Sequence, residues 1–249
     1  MRWLLSLILL LASLPPPRSL QAQPIIADLS DHLIAITTAF TGTDVLLFGA
    51  MERPGGDIVV MVSGPGEEVR VRRRSRVLLF WLNTDELVFR DVPGFYAVAA
   101  SRPLAEIASE EVLARHHLGA SRLPLEPVNP AGYEALEIGR FRRALVRNKV
   151  REGLWVEKPG TVTVLADRLF RTRLSFPANV PPGSYFVQTL YFRDGRLEHA
   201  QSNVLVISKV GLEADLYDLS KRRPGLYGVG AILLAVGAGW IANVVFARR

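Results

Sequence analysis

The soft-ligand inventory of this chain is four histidines and no cysteine, and its most patterned charged residues are arginines. Without cysteine there is no disulfide scaffold, no thiolate-held zinc or iron–sulfur centre and no thiol nucleophile. His116-His117 is the one histidine pair. Adjacent residues on a helix point about 100° apart, so the pair lacks the i, i+4 spacing that sets two metal ligands on one helical face. Beside Gly119 it reads as a helix-end pair favoured by the helix dipole. His32 and His199 have no ligand pattern around them, and Asp28 and Asp31 lack the spaced acidic loop that wraps calcium. No G-x-S-x-G or S-x-x-K marks a serine nucleophile. Gly64-Pro65-Gly66 is not followed by the Gly-Lys-Ser/Thr of a phosphate loop. These residues predict no catalytic group, no metal and no cofactor, hence a protein that is not an enzyme.

The arginines do show a spacing. Over residues 69–77 a strand would turn Val69 and Val71 one way and Arg70, Arg72, Arg74 and Arg76 the other. Arg140, Arg143, Arg147 and Arg151 recur at intervals of 3, 4 and 4, which on a helix is a single stripe. Each array reads either as a solvated face or as a contact for something anionic: lipid head groups, outer-membrane polysaccharide or an acidic partner. The exported compartment expected from the two ends of the chain disfavours nucleic acid.

The elements that must carry these arrays are mostly strands. Residues 33–38, 45–48, 58–62, 77–81 and 95–99 are apolar runs of strand length, separated by Thr41-Gly42, Pro54-Gly55-Gly56, Gly64-Pro65-Gly66 and Pro93-Gly94. That rhythm predicts an immunoglobulin-like β-sandwich over residues 23–102. Residues 103–153 read as a helical connector. Ser109-Glu110-Glu111 opens a short helix that Gly119 closes, and Asn129 and Pro130 open a second. In the second helix Tyr133, Leu136, Phe141, Ala144 and Leu145 recur at helical spacing up to Gly153. Residues 154–208 form a second β-rich segment, with strands expected at 161–166, 170–176, 184–192 and 203–207 and a hairpin signal at Asp194-Gly195. Pro93-Gly94-Phe95-Tyr96-Ala97-Val98 is echoed by Pro182-Gly183-Ser184-Tyr185-Phe186-Val187. The second segment is thus either a separate unit or the completion of a sheet begun in the first. With half of the 249 residues apolar, the chain is not of disordered composition.

The two ends speak to location. Residues 1–22 carry Arg2, an apolar run to Leu14 and the small Ala22, the pattern of a signal peptide. Residues 224–247 hold no charge, and their 24 residues at 1.5 Å each would span about 36 Å, which predicts a transmembrane helix. Ala231, Ala235, Gly239 and Asn243 fall at successive i+4 positions of that helix, a candidate packing face of small residues with one polar side chain. The expected topology puts the bulk of the chain in the periplasm, residues 209–223 beside the inner membrane and Arg248 and Arg249 in the cytoplasm.

The segment ADLSDHLIAITTAFTGTDVLLFGA (residues 27–50), taken with the C-terminal span, resembles an alphaproteobacterial family of putative transmembrane proteins. The resemblance implies a signal sequence, an exported region and one terminal helix; it brings no established activity and no catalytic residue. Genes of that family lie near those of sulfite-exporter-type permeases, which implies an integral membrane partner of that kind. The function expected is a non-enzymatic interaction or accessory component of a permease-type membrane system, in contact with membrane lipid. The alternative is a periplasmic ligand-binding module or an enzyme with an unrecognised site. A deep pocket with convergent polar groups would mark the alternative, and a shallow surface with an arginine patch the first reading.

Overall fold

The structure, a computed structural model, describes residues 25–77 and 80–210 and ten positions between 225 and 243. The chain opens with β1 (Ile25–Leu29), β2 (Leu33–Ile36), β3 (Gly42–Met51) and β4 (Asp57–Ser63). A long hairpin follows, β5 (Gly66–Val77) and β6 (Phe80–Pro93), and then β7 (Tyr96–Ala100). The middle of the chain holds α1 (Leu104–Ile107), α2 (Glu110–Arg115), the two-residue β8 (Glu126–Pro127) and α3 (Ala135–Arg151). The last elements are β9 (Gly160–Thr161), β10 (Thr163–Leu165), β11 (Leu169–Pro177), β12 (Gly183–Arg193) and β13 (Arg196–Lys209).

Among the described residues three sheets result, ordered β1-β3-β11-β10, β2-β13-β12-β4-β7-β9 and β5-β6-β8. The segment 154–208 thus supplies strands to the same two large sheets as residues 25–100. β11 lies antiparallel to β3 and β12 antiparallel to β4. Between Leu29 and Leu33 the chain changes sheets: β1 pairs antiparallel with β3, whereas β2 pairs parallel with β13, from Leu33 with Val206 to Ile36 with Lys209. The edge of β1 is closed by side chains. Gln201 accepts from the Ala27 N–H at 2.9 Å and donates to the Ala27 carbonyl at 2.7 Å, and the Asn203 amide also donates there at 3.2 Å.

Alternation builds the first core. β1 and β11 bury every second residue, so Ile25, Leu47, Phe170, Phe176, Val60, Val187 and Leu205 meet between the two large sheets. The Tyr185 hydroxyl donates to the Pro181 carbonyl, four residues upstream, at 2.5 Å. Phe95, Phe176 and Tyr185 cluster around it with ring centroids 5.1 to 6.0 Å apart. The repeated Pro-Gly turns sit side by side. A Cβ on Gly94 would press on Pro181 and one on Gly183 on Pro65, and these turns launch β7 and β12, the two neighbours of β4.

The middle sheet is buried on both faces, which is why β4 reads as a continuous apolar run. Its second face, with Val59, Tyr96, Val98, Leu190 and Phe192, is covered by the β5–β6 hairpin and the helices through Val71, Leu87, Phe89, Leu113, Phe141, Leu145 and Trp155. Tyr96 donates to the His117 carbonyl at 2.6 Å and accepts from the Gly119 N–H at 2.9 Å. Burial pushes its pKa from 10.0 up to about 12, against the opposing pull of the Gly119 N–H and the Arg122 charge. The folded chain therefore keeps this proton to a higher pH than the unfolded chain. The stability that comes with it is complete below pH 10.0 and falls as pH rises to about 12. Tyr96→Phe is expected to cost about 1–2 kcal/mol at neutral pH and to flatten part of that alkaline fall. Urea unfolding across this pH window checks both effects. Burial raises Tyr185 and Tyr191 in the same direction, so the flattening is partial.

The expected fold class needs a correction. The chain is mostly β, but among the described residues no helix is long and apolar enough to cross a membrane, so the single C-terminal transmembrane helix does not stand. Gly225, Gly228, Ile232, Leu233, Ala235, Val236, Gly237, Gly239, Trp240 and Asn243 are helical. Hydropathy measured how apolar residues 224–247 are. It took no account of the glycines at 225, 228, 230, 237 and 239, each of which costs a helix interior about 1 kcal/mol. The expected signal peptide (1–22), most of the juxtamembrane segment (209–223) and the tail (248–249) lie outside the described residues. A smaller correction concerns 77–81: Val77 ends β5 and Phe80 opens β6, so this run joins two strands and is not one strand.

Candidate functional site: an arginine-lined groove

α3 is held by one stripe. Phe141, Leu145 and Lys149, four residues apart, are its buried side chains, and the first two join Val71 of β5 in the second core. Tyr133 stands edge-on to Phe141, with ring centroids 5.7 Å apart, and donates to the Glu86 carbonyl at 3.0 Å, tying the entry to α3 to β6. Lys149 is 7% exposed and forms a salt bridge with Glu67 at the root of β5.

Packing α3 along β5 brings the two arginine arrays together. Arg72 and Arg73 from β5 and Arg140 and Arg147 from α3 line one open groove of about 300 Å³, floored by Val71, Phe141 and Ala144 and with Glu137 on its wall. A second open groove, of about 320 Å³, runs on past Val71. It is lined by Glu67, Glu68, Val69, Arg70, Leu145, Asn148, Lys149 and Glu152. Arg70 therefore lies in the neighbouring groove, while Arg143 and Arg151 are exposed on α3 outside both linings. Arg74 and Arg76 belong to the outer part of the hairpin, paired in register with Asn83 and Trp81. Of the expected small-residue face, Ala235, Gly239 and Asn243 are helical and exposed, and Ala231 lies outside the described residues.

The arrays differ in charge balance. On β5, Arg72 Nε sits 2.6 Å from a Glu86 carboxylate oxygen, Arg70 lies 3.5 Å from Glu68 and 3.9 Å from Glu86, and Arg73 is 2.6 Å from Asp85 and 3.5 Å from Glu137. On α3, Arg140, Arg143, Arg147 and Arg151 are exposed and form no salt bridge among the described residues. Among the described side chains, unpaired positive charge is thus concentrated on the helix. A groove of this kind can hold phosphate or carboxylate groups by charge-assisted hydrogen bonds from guanidinium forks.

Two residues of the site were not singled out from the sequence. Arg73 has the wrong parity for the β5 array, yet it is exposed in the groove, next to a register shift between Arg73 and Arg74. Lys149 belongs to the i+4 series Phe141, Leu145, Lys149, a signal that was there to read. Among the described residues no three His, Asp or Glu side chains gather as metal ligands. His32 pairs with Asp28 at 3.1 Å, His116 packs edge-on to Phe192, and His117 lies 3.2 Å from the Arg122 carbonyl.

A model of the family described as "Putative transmembrane protein (Alph_Pro_TM)" matches residues 24–248 of the chain. No curated protein and no solved structure matches it.

Proposed function

The chain belongs to the putative transmembrane protein family, and from that premise we propose that it is a non-enzymatic, membrane-associated interaction component whose α3–β5 groove seats on anionic lipid head groups. The carrying observation is the run of exposed α3 arginines without carboxylate partners among the described residues, beside Arg72 and Arg73. Near an anionic bilayer each such side chain contributes about 1 kcal/mol. The openness of both grooves supports an interaction surface over a ligand-binding module or enzyme. The signal-like residues 1–22 support a place on the periplasmic side of the inner membrane. In this reading the integral partner is a permease of the sulfite-exporter type, to be sought by affinity purification from detergent-solubilised membranes.

Neutralising Arg140, Arg143 and Arg147 to Gln in the full chain is expected to weaken binding to phosphatidylglycerol-containing vesicles about 100-fold, from three contributions of about 1 kcal/mol each. The loss is expected to shrink in high salt, which screens exposed charge. The corresponding Lys variant should keep most of the binding. Vesicle flotation measures all three. Equal binding of the Gln variant and the unaltered chain at low salt would refute the groove as the contact.

A further inference from the structure

The outer face of the β1-β3-β11-β10 sheet carries an apolar surface that the described residues leave open. Register sets it out in rows. Ile26, Ala50, Leu169 and Leu165 stand side by side across the four strands, all exposed, Ile26 and Leu169 by more than half. The next row is Asp28, Phe48 and Arg171, with the Phe48 side chain in the middle and 46% exposed. Leu46, exposed as well, continues the apolar line along β3. Alternation accounts for the inner residues of these strands, Leu47 and Phe170 among them, but asks for polar side chains on a wet outer face. Single exposed apolar side chains are ordinary, whereas a contiguous patch of them flanked by charge marks an interaction surface. The two flanking charges differ in sign and lie on opposite sides of β3. Asp28 is more than half exposed and pairs with His32 at 3.1 Å, while Arg171 is exposed without a salt bridge among the described residues.

We propose that this face pairs with the same face of a second copy of the chain, as a two-fold dimer whose axis runs along β3. Sheets packed face to face keep their strands within about 30° of each other, so a two-fold axis between them runs either along the strands or across them. An axis along β3 through Phe48 exchanges the two sides of that strand. Asp28 of each copy then faces Arg171 of the other, Ile26 faces Leu169, and Leu46, Phe48 and Ala50 each meet their own counterparts. An axis across the strands at the same row sets Asp28 against Asp28 and Arg171 against Arg171, which is repulsive. Charge thus selects one arrangement, and in it each apolar side chain faces another. The mixed signs also favour a second copy over a bilayer, because an anionic surface would take Arg171 and reject Asp28. The face is small. With strands about 4.8 Å apart and about 3.3 Å per residue, the four strands offer roughly 430 Å² of flat area, against about 800 Å² per partner in a standard interface. The dimer is therefore a reversible one. It lies at the far end of the layers from α3, so it neither needs nor blocks the arginine groove.

With no cysteine in the sequence, one introduced thiol reports the contact. In the full chain, Ala50→Cys puts a thiol beside the proposed axis, and Asp194→Cys, at the turn between β12 and β13, puts one away from it. A short bis-maleimide is expected to join the Ala50→Cys chain into dimers, with a yield that falls on dilution, and to leave the Asp194→Cys chain monomeric. In the Ala50→Cys background, Asp28→Lys or Arg171→Glu alone is expected to cut that yield about tenfold, since each sets like charges against each other at both symmetric contacts. An equimolar mixture of these two variants should restore the yield, as dimers holding one copy of each, because the exchanged charges then face their opposites. Such rescue separates a lost contact from a lost fold, since mixing cannot repair a chain that fails to fold. A mixture no better than either variant alone overturns the proposal. So does an Ala50→Cys thiol that takes a monofunctional maleimide readily yet gives no dimer, which would leave the face to a different partner. A thiol shielded from that reagent in the monomer also overturns it, since another part of the chain would then cover the face.

Discussion

Trp155→Ala is expected to lower the unfolding free energy by about 4 kcal/mol, the largest single loss foreseen for this chain. Trp155 is 2% exposed, stands edge-on to Tyr96 at 6.2 Å, and donates its indole N–H to the Pro93 carbonyl at 2.8 Å. It follows α3 directly and packs that helix's exit against β7, with which it forms an isolated bridge through Tyr96. Truncation leaves a cavity at the junction of helix, hairpin and middle sheet, and it also strips the half-buried Pro93 carbonyl of its donor. Trp155→Phe should recover much of the packing and lose the hydrogen bond, falling between the two. A shift of the urea midpoint without a change of slope is the readout, and a loss below about 1 kcal/mol would show that the junction is not load-sharing.

Gly49→Ala is expected to cost about 3 kcal/mol, at the upper end of what overpacking usually does. Gly49 lies in the middle of β3, opposite Ala27 on one side and Phe170 on the other. A Cβ there would sit inside the contact shells of the Ile26 carbonyl oxygen and the Phe170 ring. The ring can be shortened, but the carbonyl is main chain in the adjacent strand and cannot swing away. Combining Gly49→Ala with Phe170→Leu is therefore expected not to restore stability. Recovery in that double variant, seen as a return of the thermal midpoint, would place the whole clash on the ring.

Local pattern showed much of this architecture and little of its pairing. Alternation is legible where one face is wet, as in β11, whose burial switches at almost every residue, and in the stem of β5, where Val71 is buried and Arg70 and Arg72 are exposed. It fails at residues 77–82, an unbroken apolar run within which β5 ends at Val77 and β6 opens at Phe80, with no Gly, Pro, Asn or Asp to announce the change. α3 was expected to begin near Pro130. The Tyr133 N–H does bond back to the Pro130 carbonyl, but Gly132 takes φ +89°, which no helix continues through, so the helix opens at Ala135. Both arginine arrays were legible as charge at a period. Their convergence was not, because it depends on Phe141 and Leu145 finding Val71, some 70 positions earlier in the chain. Nor could the sequence show that Glu86 neutralises Arg72, since only the hairpin register brings those two residues together.

The parallel pairing of β2 with β13 gives the sandwich a mechanical character. Residues 25–29 lie before the start of β2, and β13 leaves the sheet at Lys209, so tension between the two ends pulls along the shared strand axis in opposite senses. The ladder of four residue pairs from Leu33–Val206 to Ile36–Lys209 is then loaded all at once, in shear, and does not open rung by rung as a hairpin pulled at its mouth would. Tension from the N-terminal side must first draw β1 from β3; once it reaches β2, the ladder with β13 resists as a unit and yields abruptly.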